Sequence, residues 1–256
     1  MKVVTSATEL PSGCAFVPTM GALHAGHASL FKIAKSQSEN VVASIFVNPL
    51  QFENSEDLAK YPKTPAEDIE LAEQAGVTHL WLPKKDEIYP EGFQVIQASD
   101  ISKLYEGASR PGHFDGVVTV VRRLFDLVKP RVSVFGEKDF QQVKLVEEIS
   151  RGIEIIRAPI IREHDGLAMS SRNVRLSPEG RLAAPVIHRA LSTVDSEIRL
   201  REVLASEPLF TLDYADFIDE ETFLPAQSHT QKVRAIVAGW INGVRLIDNM
   251  QMVKSS

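Results

Sequence analysis

Short, continuously apolar runs alternate with stretches of helical period through the first two-thirds of the chain. Residues 15–18 form one apolar run, and residues 28–34 after it are amphipathic, which predicts strand, glycine-containing loop and helix. Residues 41–47, VVASIFV, are apolar almost throughout, as expected of a strand covered on both faces. A helix is predicted over 65–75, with Asp and Glu early, and a strand over 77–82. In 117–128 the apolar positions are 117, 118, 120, 121, 124, 125 and 128, a helical period with a wide buried face. Residues 131–135 read as a strand, 140–149 as a helix and 153–161 as a strand. This alternation predicts an α/β fold, a parallel sheet flanked by helices. Ligands of such sheets sit at the carboxyl ends of the strands, where the strand order reverses.

The last third has a different pattern. Residues 178–206 read as mostly helical, with Pro185 an awkward guest. Apolar β-rich stretches follow at 212–218, 233–240 and 244–247, and Asn242-Gly243 between the last two is a two-residue hairpin signal. The expected organisation is therefore a sheet domain over residues 1–174 and a smaller α+β domain over 175–256.

Composition narrows the function classes. The net charge of −6 over 256 residues, with no clustered basic surface, argues against a nucleic-acid partner. The single cysteine, Cys14, excludes an internal disulfide and reads as a buried small residue. The first residues lack the apolar core of a signal peptide, and no apolar run approaches the roughly 18 residues needed to span a bilayer. A cytoplasmic protein with no membrane contact is expected.

Four segments carry candidate chemistry, and each follows a predicted parallel strand. In PTMGALHAGH, His24 and His27 stand at a helix start, where unpaired N–H groups and the dipole attract phosphate. Gly26 between them lets backbone approach a ligand closely. Two unrelated histidines and a metal site are the competing readings, but no further His or Cys cluster completes a metal site. In FGEKDFQQ, Lys138 falls at a strand's carboxyl end, where it could meet a phosphate or remain a solvated turn lysine. Asp139 and Gln142 have the spacing of a helix capping box, which would keep Gln142 from substrate. In MSSRN, Ser170, Ser171 and Arg172 suit a triphosphate, since a guanidinium matches phosphate geometry; a plain polar loop is the alternative. In NPLQF, the amides of Asn48 and Gln51 could orient a small polar ligand. The turn at Arg110–Phe114 is either a pocket wall or a surface loop. Joint placement at one sheet edge favours a single site over four coincidences.

Five of the motifs in series, PTMGALHAGH, FVNPLQF, EGASRPGHFDGV, FGEKDFQQ and DGLAMSSRN, resemble the pantoate–β-alanine ligase (pantothenate synthetase) family in order and approximate spacing. The resemblance runs over residues 16–173 and resumes at LIDN, 246–249. HxGH alone is shared by many nucleotidyl-transferring enzymes; the series is highly specific. The resemblance implies a Rossmann-like nucleotide-binding domain covered by a small C-terminal lid domain, usually in a homodimer. It implies that pantoate's carboxylate attacks the α-phosphate of ATP, with Mg2+ accompanying the nucleotide. The amine of β-alanine then displaces AMP from pantoyl adenylate.

Carried over onto this chain, His24 and His27 would contact the ATP phosphates, and Lys138 would bridge phosphates and the pantoate carboxylate. Ser170, Ser171 and Arg172 would hold the β- and γ-phosphates. Asp139 with the Gly136 backbone would hold the ribose. Met20, Gly26 and Met169 belong to the same implied ATP site. Gln51 and Gln142 would grip pantoate, against the capping expectation for Gln142. Asp68 is a possible outer magnesium ligand, or a helix N-terminal acid complementing the dipole. The chain departs from the family at Ala25, usually acidic, at Arg175, usually aromatic, and in a shortened stretch over 196–212. Two other readings remain: a nucleotidylyltransferase acting on a phosphorylated acceptor, which leaves the two glutamines unexplained, and a catalytically silent nucleotide-binding module.

Overall fold

The computed structural model describes residues 1–53 and 55–252. Six parallel strands form the main sheet: β1 (Lys2–Val4), β2 (Ala15–Thr19), β3 (Val41–Ile45), β4 (His79–Trp81), β5 (Val132–Gly136) and β6 (Glu154–Ala158). Their order is β1-β4-β3-β2-β5-β6. The chain runs outward from β2 through β3 to β4, then returns to the other side of β2 for β5 and β6. Ala15 accordingly pairs with Val41 on one side and Val132 on the other. The order reverses between β2 and β5, so the crevice that such sheets use for ligands opens at their carboxyl ends.

Helices α1 (Ala25–Gln37), α2 (Ser55–Ala59), α3 (Pro65–Gln74), α4 (Lys85–Ile88), α5 (Tyr105–Ser109), α6 (His113–Val128) and α7 (Phe140–Ile149) connect these strands. One face of the sheet buries Phe16 and Val42 against Val117, Val121 and Leu124 of α6 and Val143 and Leu145 of α7. The other buries Ala15, Val41 and Ala43 with Phe31 and Ala34 of α1 and Ala72 of α3. Helix α6 holds five valines, which are mediocre helix formers, each costing up to about 0.7 kcal/mol against Ala. Burying such a side chain returns roughly 1.5–3 kcal/mol, so packing, not propensity, sets this helix. Gly112, with φ of +79°, starts it, and Lys129, with φ of +49°, ends it by donating its N–H to Phe125 O.

The predicted 178–206 helix is broken into three: α8 (Pro178–Ala183), α9 (Val186–Thr193) and α10 (Glu197–Ala205). Pro185 sits at the N-cap of α9 with φ of −61°, a position that needs no N–H donor. Strands β7 (Phe210–Asp219), β8 (Val233–Ile241) and β9 (Val244–Met252) then form an antiparallel sheet in that order. Asn242 and Gly243, with φ of +49° and +74°, make the predicted hairpin turn. Strand β9 continues five residues past the predicted end, carrying Asp248 and Asn249 inward, both nearly fully buried. The two sheets meet through Phe140, Ile218, Phe223 and Ile236, with the rings of Phe140 and Phe223 stacked 5.5 Å apart. β1 and the short helices α2, α4 and α5 were not expected from the sequence pattern.

Candidate active site

Helix α1 begins with a capping box made of histidines. The Nδ1 of His24 accepts the Gly26 N–H at 3.1 Å, and the His24 N–H donates to Nδ1 of His27 at 3.2 Å. With both Nδ1 atoms accepting, each neutral ring carries its proton on Nε2 and keeps that N–H as a donor. Burial, helped by the Lys138 cation, pushes His24 down to about 4, and burial with His24 and Lys138 beside it pushes His27 down to about 3. At neutral pH the pair is uncharged. Gly26 is required here for a reason the sequence did not give: a Cβ would lie 2.8 Å from Cε1 of His24.

The loop ahead of the histidines is pinned by Asp68. Its carboxylate accepts from the N–H groups of Ala22 at 3.0 Å and Leu23 at 2.7 Å, and from the Thr64 hydroxyl at 3.0 Å. Asp68 is buried, and both oxygens are used by this loop. Of the two readings of Asp68, these bonds favour the structural one, with the carboxylate an acceptor for the loop.

Lys138 lies in a single 3-10 turn, Glu137–Asp139, between β5 and α7. It borders the cleft lined by the two histidines and also two smaller cavities between that cleft and the C-terminal sheet. Asp139 occupies the N-cap of α7 without a side-chain cap bond, so the expected Asp139–Gln142 capping box does not form. The turn before α7 places Asp139 at φ −94°, ψ 58°, and Gln142 instead lines the cleft.

The Met169–Asn173 loop folds back beside the histidine loop. Ser171 donates its hydroxyl to Ala22 O at 2.9 Å, and the Arg172 N–H donates to the Ser170 hydroxyl at 3.2 Å. The Arg172 guanidinium lies 5.7 Å from the Tyr61 ring centroid and donates to Asp57 at 3.2 Å, where Arg175 also donates at 2.8 Å.

Opposite these groups, Gln51 is held on two sides. Asn48 donates to Gln51 Oε1 at 3.0 Å and to Gly116 O at 3.0 Å, while its own oxygen accepts from the Tyr89 hydroxyl at 2.6 Å. The carbonyl of Gln51 accepts from Nδ1 of His113 at 2.8 Å and from Arg110 at 3.2 Å. Burial holds His113 down at about 4, so it is neutral, and with Nδ1 donating its Nε2 accepts from Arg110. The Arg110–Phe114 turn is thus a pocket wall rather than a loose surface loop.

One cleft of about 250 Å³ gathers these side chains. Met20, His24, Gly26, His27, Gln51, Gly136, Lys138, Asp139, Gln142, Met169, Ser170, Ser171 and Arg172 all line it. The residues that the sequence singled out for nucleotide and acid are therefore at one place, at the reversal between β2 and β5. A sequence profile described as Pantoate-beta-alanine ligase matches residues 2–251. The chain belongs to that ligase family. It is 43% identical to the pantothenate synthetase of Thermus thermophilus over 274 aligned positions, covering 98% of this chain and 99% of the relative. It is 46% identical to the pantoate–β-alanine ligase of Schizosaccharomyces pombe, covering 93% and 90%. The crystal structure of the T. thermophilus synthetase superposes with a TM-score of 0.93 at 44% identity, covering 98% and 99%. A Francisella tularensis pantoate–β-alanine ligase, solved in complex with "Beta-gamma ATP and Beta-alanine", superposes with a TM-score of 0.83 at 34% identity, covering 98% and 97%.

For this member of the ligase family, sequence reading missed several supporting residues. Tyr61 and Asp57 flank Arg172, and Tyr89 orients Asn48. Glu106 of α5 receives Arg245 of β9 through both oxygens, with the shortest contact 2.7 Å, and Arg110 at 3.2 Å. These two cations hold the Glu106 carboxyl below its ordinary range despite burial, which acts in the opposite direction. Apart from Glu106–Arg110, which stand four residues apart, these contacts have no local spacing signal, because each joins residues remote in sequence.

Proposed function

We propose that this chain joins pantoate to β-alanine in two steps, with ATP cleaved to AMP and pyrophosphate. In the first step a pantoate carboxylate oxygen attacks the α-phosphorus, and the bond from that phosphorus to the bridging oxygen breaks as pyrophosphate leaves. In the second the amine attacks the acyl carbon, loses a proton, and AMP departs with the carboxylate oxygen. The observation that carries this reading is the joining of the neutral His24–His27 pair and Lys138 with Gln51 and Gln142 in one cleft. Two cation or N–H donor sets face two amides suited to hydroxyl and carboxylate.

Such chemistry needs little covalent help from the protein; positioning and charge stabilisation supply most of the rate. In this reading the Nε2–H groups of His24 and His27 donate to the phosphates without bringing charge, and Lys138 supplies the cation between phosphate and carboxylate. Ser170, Ser171 and Arg172 hold the leaving pyrophosphate, with Arg172 exchanging Asp57 for phosphate oxygens. Met20, Gly26, Gly136, Asp139 and Met169 form the nucleoside and backbone side of the ATP site. Gln51 and Gln142 orient pantoate, Gln51 being pre-set by Asn48.

Magnesium would enter on ATP, held by phosphate oxygens and water as is usual for this ion. Among the described residues no group of three His, Cys, Asp or Glu side chains is arranged to hold a metal. No residue is therefore assigned as its ligand. No helix among the described residues is long and apolar enough to cross a membrane; a cytoplasmic homodimer, divided near residue 174 into sheet domain and lid, completes the proposal.

The test is product balance with ATP, pantoate and β-alanine supplied together. Equal amounts of pantothenate and AMP are expected. Formation of ADP, or a nucleotide joined to a phosphorylated acceptor, would overturn the reading in favour of kinase or nucleotidylyltransferase chemistry.

A further inference from the structure

We propose that Asn249, on the last strand of the small sheet, is a positioning residue for Lys138. The inference rests on the role assigned to Lys138 above. The Asn249 amide nitrogen donates one N–H to Glu137 O at 2.9 Å and the other to Lys138 O at 3.0 Å. Both donors of one side chain therefore grip the three-residue turn that carries the lysine. Asp139, at the end of the turn, makes no side-chain cap bond to α7.

The orientation of that amide is itself fixed. Its oxygen accepts from Nη1 of Arg234 at 2.6 Å, so the nitrogen faces the turn. Arg234 donates through Nε to Glu220 at 2.7 Å, lies 3.6 Å from the Glu137 carboxylate, and sits 3.9 Å over the Phe140 ring. Asn249 and Arg234 are both nearly fully buried. Water is thus a poor substitute for either side chain, and the two backbone carbonyls would be left without these partners if the amide were removed.

Position along the chain makes this more than local support. The two bonds join residues more than a hundred positions apart and connect β9 to the turn after β5. The small sheet therefore does not merely lie over the cleft; it sets where the Lys138 backbone stands. A displacement of the order of 1 Å at a catalytic group can cost on the order of a hundredfold in rate. A side chain that holds the two backbone carbonyls flanking the Lys138 α-carbon works on that scale.

The test is a double-mutant cycle read by pantoate-dependent ATP–pyrophosphate exchange, with β-alanine omitted. The proteins are wild type, Asn249→Ala, Lys138→Ala and the double variant. Asn249→Asp serves as the second substitution if Ala fails to fold: it keeps an acceptor for Arg234 but turns an oxygen on the two carbonyls. Asn249→Ala is expected to lower the maximal exchange rate by roughly ten- to a hundredfold, with ATP and pantoate KM within about threefold. In the Lys138→Ala background the same substitution is expected to add almost nothing, read from labelled ATP accumulated over hours. An equal fall in that background, or a loss confined to KM, overturns the positioning role while leaving the Lys138 reading intact. Wild-type exchange by Lys138→Ala overturns the Lys138 reading itself.

Discussion

The backbone N–H of His24 donates to Nδ1 of His27 at 3.2 Å. Because His24 in turn caps Gly26 through its own Nδ1, the helix start dictates which nitrogen of each ring bears the proton. The same bonds that begin α1 thus prepare two neutral donors for the cleft.

This arrangement has a pH consequence. In the unfolded chain both rings should titrate near 6.5, whereas the folded site holds them at about 4 and about 3. As pH falls from 6.5 toward 4 the unfolded chain takes up protons that the folded site refuses, so the pair lowers stability across that window and has no effect above it. Nitrogen-detected NMR of the ligand-free protein at pH 5.5 should find both Nδ1 atoms unprotonated. Titration near 6.5, or a proton on Nδ1, would remove the argument for neutral donors.

Asp68 should matter for the loop rather than for a metal. Asp68→Ala leaves the Ala22 and Leu23 N–H groups without their carboxylate, a loss of about 2–3 kcal/mol for bonds of this charged type. Urea denaturation should register that loss, and the ATP KM should rise roughly tenfold as the histidine loop loosens. An unchanged midpoint would show that the loop holds itself.

Gly116 tests how rigidly Gln51 is set. A Cβ there would stand 2.4 Å from Leu50 O and 2.8 Å from Gln51 N, both backbone atoms with no rotamer to yield. Gly116→Ala should therefore push the Asn48–Gln51 turn and raise pantoate KM by roughly tenfold or more while ATP affinity changes little. Isothermal titration with each ligand separately distinguishes this from general disruption. Equal loss for both ligands would contradict it.

The buried Glu106–Arg245 pair should be costly to break from one side. Glu106→Gln leaves two guanidinium groups, those of Arg245 and Arg110, without their shared carboxylate. Breaking a buried pair typically costs about 3–5 kcal/mol, but Arg245 keeps Asp213 at 2.7 Å and Arg110 keeps Glu53 at 3.1 Å, so the loss should lie near or below the low end of that range in the urea midpoint at neutral pH. A loss below about 1 kcal/mol would place this pair with the exposed ones.

The parts of the fold legible in the sequence are those whose signal is local. VVASIFV reads as a buried strand because both faces are covered, and β3 is that strand. Asn242-Gly243 reads as a hairpin because the turn itself demands positive φ. Pro185 was legible as a problem but not as its solution, since where the helix breaks depends on how α8 and α9 pack. β1 escaped because three residues pairing at the sheet edge leave no periodicity to see. At the site, the motif residues were readable and their supports were not. Asp139 and Gln142 have capping-box spacing, yet the capping box that lines the cleft is made by two histidines. Asn249 stood in a recognised motif, but its partners lie across the molecule.

A reversible pantoyl-adenylate step is assigned to the cleft shared by His24, His27, Lys138, Gln51 and Gln142. Exchange of labelled pyrophosphate into ATP, with pantoate present or absent and β-alanine omitted, tests it most directly. Exchange should depend on pantoate and be largely lost in Lys138→Ala. Folded, ATP-binding protein that shows no exchange with pantoate, or the same exchange without it, would rule out a pantoyl adenylate in this cleft.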